Sequence, residues 1–140
     1  MKRFFLLCVF VATAAGAQSL LQPQQAFEAR ARFLDDKRIE VRYDIASGYY
    51  LYRDKFAFST DSKNFSLGKV ALPHGVVQED EYFGRVEIFR DSVLIVLPFT
   101  RKGGAETEPI TLNARSQGCA EIGVCFPPFV QVLTVRPASN

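Results

Sequence analysis

The stretch FEARARFLDDKRIEVRYDI, residues 27–45, contains two runs in which apolar and charged side chains alternate. The first run covers residues 27–33 and the second covers residues 39–45. Alternation with a period of two is typical of a β-strand that buries one face and exposes the other. The polar segment 35–37 between the runs has the composition of a turn. The stretch therefore predicts an antiparallel hairpin with one buried face.

Short apolar stretches separated by turn residues continue along the rest of the chain. They lie at residues 49–52, Phe56 with Phe58, Val70 with Leu72, Val86 with Ile88, residues 92–99, 110–114 and 129–135. The run 92–99 is rich in β-branched residues, which indicates a central strand. No helical stripe follows the N-terminal segment, so eight or nine short strands are expected. The pattern predicts an all-β protein built as a β-sandwich, for which the immunoglobulin-like fold is one candidate. The chain has no Trp and so lacks the Cys…Trp…Cys signature of true immunoglobulin domains.

The composition fits one folded domain and excludes several classes of protein. The 140 residues give room for a single core, and a hydrophobic content of 48% is too high for a disordered chain. A formal net charge of +2 gives no basic surface for nucleic acid, so no such partner is expected. With one His and three Cys, the chain lacks the clustered ligands of a structural zinc site, and no metal is expected.

The N-terminus has the three parts of a secretory signal peptide. Met1-Lys2-Arg3 is a basic head, residues 4–15 are an apolar run, and Ala15-Gly16-Ala17 offers small residues for cleavage. The apolar run is too short for an ordinary transmembrane helix. The expected organisation is a cleaved signal at residues 1–17, an exported domain at residues 18–136, and the start of a linker at residues 137–140.

Two cysteines remain after the expected cleavage, and both lie in QGCAEIGVCFPP, residues 117–128. Cys8 would leave with the signal, so Cys119 and Cys125 are expected to pair in the exported domain, with Gly123 supplying a bend. A ring this small stabilises a fold by only about 2.4 kcal/mol in a chain-entropy estimate. The spacing is not C-x-x-C, so it is not that of a thioredoxin site. Spacing alone leaves two interpretations open: a structural bridge in a non-enzymatic β-sandwich binding module, or a redox pair.

Three separated segments carry a resemblance to a known family. They are the cysteine segment with its Phe126-Pro127-Pro128 extension, the tyrosine-rich run 48–53 (GYYLYR), and the acidic and aromatic run 79–84 (EDEYFG). In this order they resemble the active-site segment, the tyrosine-rich strand and the cap loop of the N-terminal periplasmic domain of the DsbD family, the thiol:disulfide interchange reductases of Gram-negative bacteria. The resemblance spans essentially the whole expected exported domain.

The resemblance implies a fold, an activity and a set of partners. The fold would be an immunoglobulin-like β-sandwich with the redox cysteine pair on a hairpin at one end. The domain would be a protein-disulfide reductase module in the periplasm, with the Cys119–Cys125 disulfide in place of any cofactor. It would accept electrons from the C-terminal thioredoxin-like domain of a longer parent protein anchored in the inner membrane. It would pass them to disulfide isomerases of the DsbC and DsbG type and to a CcmG-type cytochrome c maturation protein. In this interpretation residues 137–140 begin the linker to a membrane domain.

The resemblance also implies roles for individual residues. Cys125 would form the mixed disulfide with a partner, and Cys119 would resolve it. The cap loop, residues 80–84, would shield the sulfurs. The family has a Phe at the third position of this loop, where this chain has Tyr82 followed by Phe83, so which ring covers the cysteines stays open. The other expected site residues are Asp80, Glu81, Gly84, Tyr50, Tyr52 and Phe126.

Residue chemistry gives these assignments a physical basis and also an alternative. A carboxylate disfavours a nearby thiolate, so Asp80 and Glu81 should raise a cysteine pKa and could exchange protons with it. Tyr50 and Tyr52 lie two positions apart and therefore share one face of a strand. The alternative interpretation is core packing for the aromatic residues and a solvated turn for the two acids.

Overall fold

A computed structural model describes residues 19–137. The predicted signal at 1–17 and most of the predicted linker, 138–140, lie outside the described residues, so both stay predictions. The described part consists mainly of strands. In chain order they are β1 (Phe27–Asp35), β2 (Arg38–Ile45), β3 (Tyr49–Tyr52), β4 (Ala57–Thr60), β5 (Phe65–Leu67), β6 (Val76–Asp80), β7 (Gly84–Phe89), β8 (Ser92–Arg101), β9 (Ile110–Ser116), β10 (Gly118–Ala120), β11 (Val124–Cys125) and β12 (Phe129–Val135).

Two short helical segments accompany the strands. A four-residue α-helix, α1 (Pro23–Ala26), precedes β1, and a three-residue 3-10 helix (Arg53–Lys55) follows β3. Within residues 19–137, no helix is both long enough and apolar enough to span a bilayer.

The hairpin predicted from the opening stretch is confirmed. Strands β1 and β2 pair antiparallel, with Phe27 opposite Ile45 and Phe33 opposite Ile39. The turn is held by Asp35, whose two carboxylate oxygens accept bonds from the backbone N–H of Lys37 at 2.9 Å and from Arg38 Nε at 2.7 Å. The apolar residues of β2 face inward while its charged residues alternate with them toward solvent.

The strands form three sheets, in the orders β1-β2-β8-β5, β11-β10-β3-β7-β6 and β12-β9-β4. Strand β8 lies between two neighbours, as predicted for a central strand, and buries every second residue. The main core is built largely from the inward faces of β1, β2 and β8 in the first sheet and of β9 in the third. The result is the predicted immunoglobulin-like β-sandwich.

The second sheet buries side chains on both of its faces, and this is what creates the candidate site. Leu51 of β3 and Phe89 of β7 face the main core. On the opposite face a smaller buried cluster forms, consisting of Tyr50, Tyr52, Val86, Ile88 and Cys119, with Cys125 packed against it. Because side chains alternate along a strand, the tyrosines flanking Leu51 necessarily face away from the main core.

The expected count of eight or nine strands is wrong, because the described residues contain twelve. Strand β6 was missed since Val76 and Val77 are exposed on an edge strand, which leaves no alternating pattern to read. The cysteine segment forms two very short strands, too short for any periodicity. Conversely, the stretch 70–72 was expected to be a strand, and this is wrong: it makes only a single antiparallel β-bridge, between Ala71 and Val96.

Candidate functional site

Cys119 and Cys125 face each other across the hairpin of β10 and β11, which we call the cysteine hairpin (residues 118–125). They are directly opposite in register and joined by a disulfide, with their Cα atoms 4.0 Å apart. Beyond the pair, the N–H of Phe126 donates to the carbonyl of Gly118 at 3.0 Å. At the other end the tight turn needs Gly123, whose φ of +94° lies in the left-handed region.

The cysteine hairpin forms the edge of the second sheet and is seated on β3. Cys119 lies opposite Tyr50 and Gly118 opposite Leu51 in an antiparallel pairing. Gly118 leaves no room for a side chain, because a Cβ there would overlap the carbonyl oxygen of Tyr50 and lie 2.7 Å from Cζ of Phe27. The glycine before the first cysteine therefore permits the close approach that places the disulfide beside the tyrosines.

The two sulfurs differ in their access to solvent and in their neighbours. Cys119 is fully buried, whereas Cys125 is partly exposed. The hydroxyl oxygen of Tyr52 lies 3.1 Å from Cys119 Sγ and 3.9 Å from Cys125 Sγ. A disulfide sulfur carries no proton, so only the tyrosine could donate in these contacts.

The Tyr52 proton has a better acceptor in the carboxylate of Asp80. Tyr52 donates to Asp80 Oδ2 at 2.7 Å, and Tyr50 donates to the same oxygen at 2.8 Å. The other oxygen, Oδ1, accepts the backbone N–H groups of Tyr82 at 2.8 Å and Phe83 at 3.0 Å. One nearly buried carboxylate thus ties the cap loop to both tyrosines, and Tyr52 in turn contacts the disulfide.

The network shifts the pKa values of its members in opposite directions. Burial alone would raise the pKa of Asp80, but the bonds from Tyr52, Tyr50 and the two backbone N–H groups outweigh it and lower that pKa. The pKa of Tyr52 is raised far above its usual range by burial first, and then by Tyr50 and Asp80. Burial likewise raises the pKa of Tyr50. At neutral pH the site therefore holds one carboxylate and two neutral phenols.

The cap loop carries two aromatic rings beside the site, and each ring makes a different contact. The ring of Phe83 packs edge-on against Tyr52 with centroids 5.0 Å apart, and Lys55 Nζ lies 4.4 Å from its centroid. The hydroxyl of Tyr82 reaches across to the cysteine hairpin and donates to the carbonyl oxygen of Gly123 at 2.9 Å. Phe83 is therefore the ring that contacts Tyr52 beside the sulfurs, and Tyr82 joins the loop to the turn between the cysteines.

The remaining expected site residues lie outside the hydrogen-bond network of Asp80, Tyr50 and Tyr52. Glu81 is exposed at the tip of the cap loop, and Gly84 begins β7 with a φ of +71°. Phe126 belongs to the main core, where its ring contacts Phe27 at 5.8 Å and Tyr49 at 6.3 Å. It anchors the chain leaving the cysteine hairpin.

Arg90 is a site neighbour that the sequence did not reveal. Its guanidinium donates to Glu121 of the cysteine hairpin at 2.6 Å and to Gln78 of β6 at 2.9 Å, and it lies 5.6 Å from the ring centroid of Tyr50. In the sequence Arg90 simply precedes a turn, and its partner Glu121 is 31 positions away. No local pattern could have linked them.

Fold and site together define an immunoglobulin-like domain that carries a cross-strand disulfide at one end, under an aromatic loop. A model of the family described as "Thiol:disulfide interchange protein DsbD, N-terminal" matches residues 17–137. The chain is 37% identical over 139 residues to the thiol:disulfide interchange protein DsbD of Ralstonia nicotianae, covering 96% of this chain and 22% of the relative. It is 38% identical over 124 residues to DsbD of Neisseria meningitidis serogroup A, covering 89% and 20%.

Solved structures agree with the sequence comparisons. The reduced N-terminal domain of Neisseria meningitidis DsbD matches with a TM-score of 0.74 and 34% identity, over 86% of this chain and 92% of that one. The same kind of domain in complex with the PilB N-terminal domain matches with a TM-score of 0.62 and 35% identity, over 84% and 88%. The chain belongs to the DsbD N-terminal domain family. It spans about a fifth of the length of the curated relatives it matches.

Proposed function

We propose that the domain is a thiol–disulfide relay in which Cys119 and Cys125 cycle between a disulfide and a dithiol. The observation that carries the proposal is the placement of the pair: the two cysteines lie opposite each other on an end hairpin, and Cys119 is buried whereas Cys125 is partly exposed. Membership of a family whose relatives are named thiol:disulfide interchange proteins supports it. A structural staple would gain little from so small a ring.

The transfer of electrons to a partner proceeds in two exchange steps. The thiolate of Cys125 attacks a sulfur of the partner's disulfide, the partner's S–S bond breaks, and its second sulfur leaves as a thiolate. The thiolate of Cys119 then attacks Cys125 Sγ, closing the internal disulfide and releasing the partner's first sulfur. Two electrons pass to the partner, and the two protons lost by the cysteines balance those taken up by the partner's thiols. Reduction of the Cys119–Cys125 disulfide by a dithiol donor follows the same two exchange steps in reverse.

The difference in solvent exposure between the two cysteines supports Cys125 as the attacking thiol and Cys119 as the resolving thiol. Cys125 is the cysteine of the pair that is partly exposed, and the exposed residues Pro127 and Pro128 follow Phe126 after it. Proline offers no N–H for strand pairing, which leaves the adjacent backbone open to a docking protein. Cys119 is buried beneath Tyr52, within bonding distance of Cys125, as a resolving thiol must be.

The Tyr52–Asp80 network favours a protonated Cys119 in the reduced state. A thiol at the Cys119 position can donate to the phenol oxygen of Tyr52 while Tyr52 donates to Asp80, which forms a continuous chain of donors. The negative charge of Asp80 at the end of that chain disfavours a thiolate. Together with the cap loop, this keeps the dithiol from reacting with oxidants other than its partners.

We propose partners of the kind that the DsbD family implies. The domain accepts electrons from the C-terminal thioredoxin-like domain of a longer parent protein in the inner membrane. It delivers them in the periplasm to isomerases of the DsbC and DsbG type and to a CcmG-type cytochrome maturation protein. The disulfide itself is the redox group, and no cofactor takes part. The complex of a relative's domain with the PilB N-terminal domain supports the use of protein partners.

Trapping of mixed disulfides tests this proposal. The remaining cysteine of a thioredoxin-fold partner that has lost its own resolving cysteine is first converted to a mixed disulfide with a small aromatic thiol. In Cys119→Ser, the Cys125 thiolate should attack the partner's sulfur, expel the aromatic thiolate and leave a stable adduct. Cys125→Ser should form little of this adduct. Non-reducing gels of each single variant would show the adducts. Failure of both variants to form one, with a wild-type disulfide that the partner cannot reduce, would overturn the relay. Better trapping by Cys125→Ser would reverse the two roles.

A further inference from the structure

Ile122 is the most exposed large hydrophobic residue among residues 19–137, at 79%. It occupies the turn of the cysteine hairpin, between the two cysteines. Val124, the residue before Cys125, is 40% exposed, and Tyr82 of the cap loop is 52% exposed. A single exposed isoleucine is ordinary on a protein surface, so its exposure alone indicates nothing. Two further features indicate a role in binding: Ile122 lies between the two cysteines, and the residues on either side of it are held by hydrogen bonds.

The turn that presents Ile122 is fixed on both sides of it. On one side, the carboxylate of Glu121 accepts a bond from Arg90 at 2.6 Å, and the N–H of Glu121 donates to the carbonyl of Gly48 at 2.8 Å. On the other side, the carbonyl of Gly123 accepts the Tyr82 hydroxyl at 2.9 Å. An apolar side chain held out on an ordered turn loses little conformational freedom on binding, which favours a role as an anchor.

The chemistry of the site requires a partner to cover this turn. A mixed disulfide brings the partner's sulfur to about 2.05 Å from Cys125 Sγ. Ile122 is three residues from Cys125, so their Cα atoms are at most about 10 Å apart. A standard interface of roughly 800 Å² per partner extends further than that from its centre. A standard interface centred on Cys125 therefore reaches as far as Ile122.

We propose that Ile122 is the recognition anchor of the relay, entering an apolar recess beside the reactive cysteine of an incoming redox protein. This inference rests on the proposed function, since only a partner that exchanges with Cys125 is brought to the turn. The occupant is a protein with an exposed redox-active cysteine next to apolar surface. A small dithiol has no such surface and does not use the anchor.

The test compares a protein reductant with a small one. The oxidised domain is mixed with dithiothreitol or with the reduced form of the C-terminal thioredoxin-like domain that is proposed above as its electron donor. Samples are quenched in acid and alkylated, and the rate constants are measured from the reduced fraction. Ile122→Ser should slow the protein reaction by about five- to thirtyfold, the effect of removing an apolar side chain from an interface. Its rate with dithiothreitol should change less than about twofold, and Ile122→Leu should restore most of the protein rate.

Val132→Ser is the matched control, because Val132 is 66% exposed and lies on the third sheet. It should leave both rates unchanged. A protein rate for Ile122→Ser equal to that of Val132→Ser would overturn the anchor and leave the relay intact. Equal slowing with both reductants would also overturn it, because the change would then act on the disulfide itself. A wild-type domain that dithiothreitol reduces and the protein does not would contradict the proposed function, and the anchor with it.

Discussion

Asp80 is the residue on which the site's arrangement depends most. It accepts hydrogen bonds from two phenols and two backbone N–H groups, and so joins strand β3, the cap loop and, through Tyr52, the disulfide. A carboxylate with this many donors prefers its charged form, which is why its pKa is lowered despite its burial. That carboxylate accepts the backbone N–H groups of Tyr82 and Phe83, so its charge helps to hold the loop in place.

We predict that Asp80→Asn lowers the free energy of unfolding by about 1–3 kcal/mol at pH 7, the usual value of hydrogen bonds to a charged group. The folded pKa of Asp80 lies below its unfolded value, so the stabilisation is complete above about pH 4 and is lost as the pH falls through the folded pKa. Urea unfolding at pH 7 and at several acidic pH values would measure this. A difference between wild type and variant that stays constant down to pH 2 would contradict the assignment.

Tyr82 and Phe83 are the two rings that we expect to shield the disulfide, and the hydroxyl of Tyr82 is bonded to Gly123 in the cysteine hairpin. We predict that Tyr82→Phe, which keeps the ring and removes the bond to Gly123, speeds oxidation of the reduced dithiol by a small oxidant about two- to tenfold, the effect of one hydrogen bond. The measurement is the loss of free thiol with time. Tyr49→Phe is the control, since the Tyr49 hydroxyl contacts the N–H of Leu21 and not the cap loop. Equal rates in both variants would show that the bond does not hold the loop closed.

At the scale of elements, the cysteine hairpin is positioned by close packing on β3. We predict that Gly118→Ala destabilises the fold by at least about 2 kcal/mol, because the added methyl group must displace the Tyr50 backbone or the Phe27 ring. Gly103→Ala is the matched control, since a Cβ there meets nothing within 4 Å and Gly103 has no positive φ. Thermal or urea unfolding of the two variants tests this, and a Gly118→Ala variant as stable as Gly103→Ala would refute it.

Strands in which buried and exposed side chains alternate could be predicted from the sequence. Strands that lack this alternation, and contacts between distant residues, could not. The register of β1 and β2 follows from alternation, because a shift by one residue would expose every apolar side chain. The disulfide could be predicted because two cysteines, Cys119 and Cys125, are expected to remain after the predicted signal is cleaved. Strand β6 carries exposed valines, and the contacts of Tyr82 with Gly123 and of Arg90 with Glu121 join residues 41 and 31 positions apart. Such contacts depend on how the strands are arranged in the sheet, which local patterns do not encode.

At the scale of the whole molecule, the fold has a core that does not include the disulfide. The main buried cluster draws on the three sheets, whereas Cys119 lies in the smaller cluster on the outer face of the second sheet. We therefore predict that reduction leaves the fold intact and lowers the free energy of unfolding by no more than about 3 kcal/mol. The matching Neisseria domain was solved in its reduced form with the same fold, which is consistent with this. Urea unfolding of the oxidised and reduced forms checks it, and a larger loss would indicate a structural staple.

The reduction potential of the Cys119–Cys125 disulfide distinguishes a redox relay from a structural bridge. The oxidised domain is equilibrated with glutathione buffers of known potential, or with a stronger dithiol couple at the low end, and the reduced fraction is measured after alkylation. A relay must gain and lose electrons with other redox proteins, so we predict a potential well above about −300 mV. A potential below about −300 mV would identify a structural bridge and contradict the account.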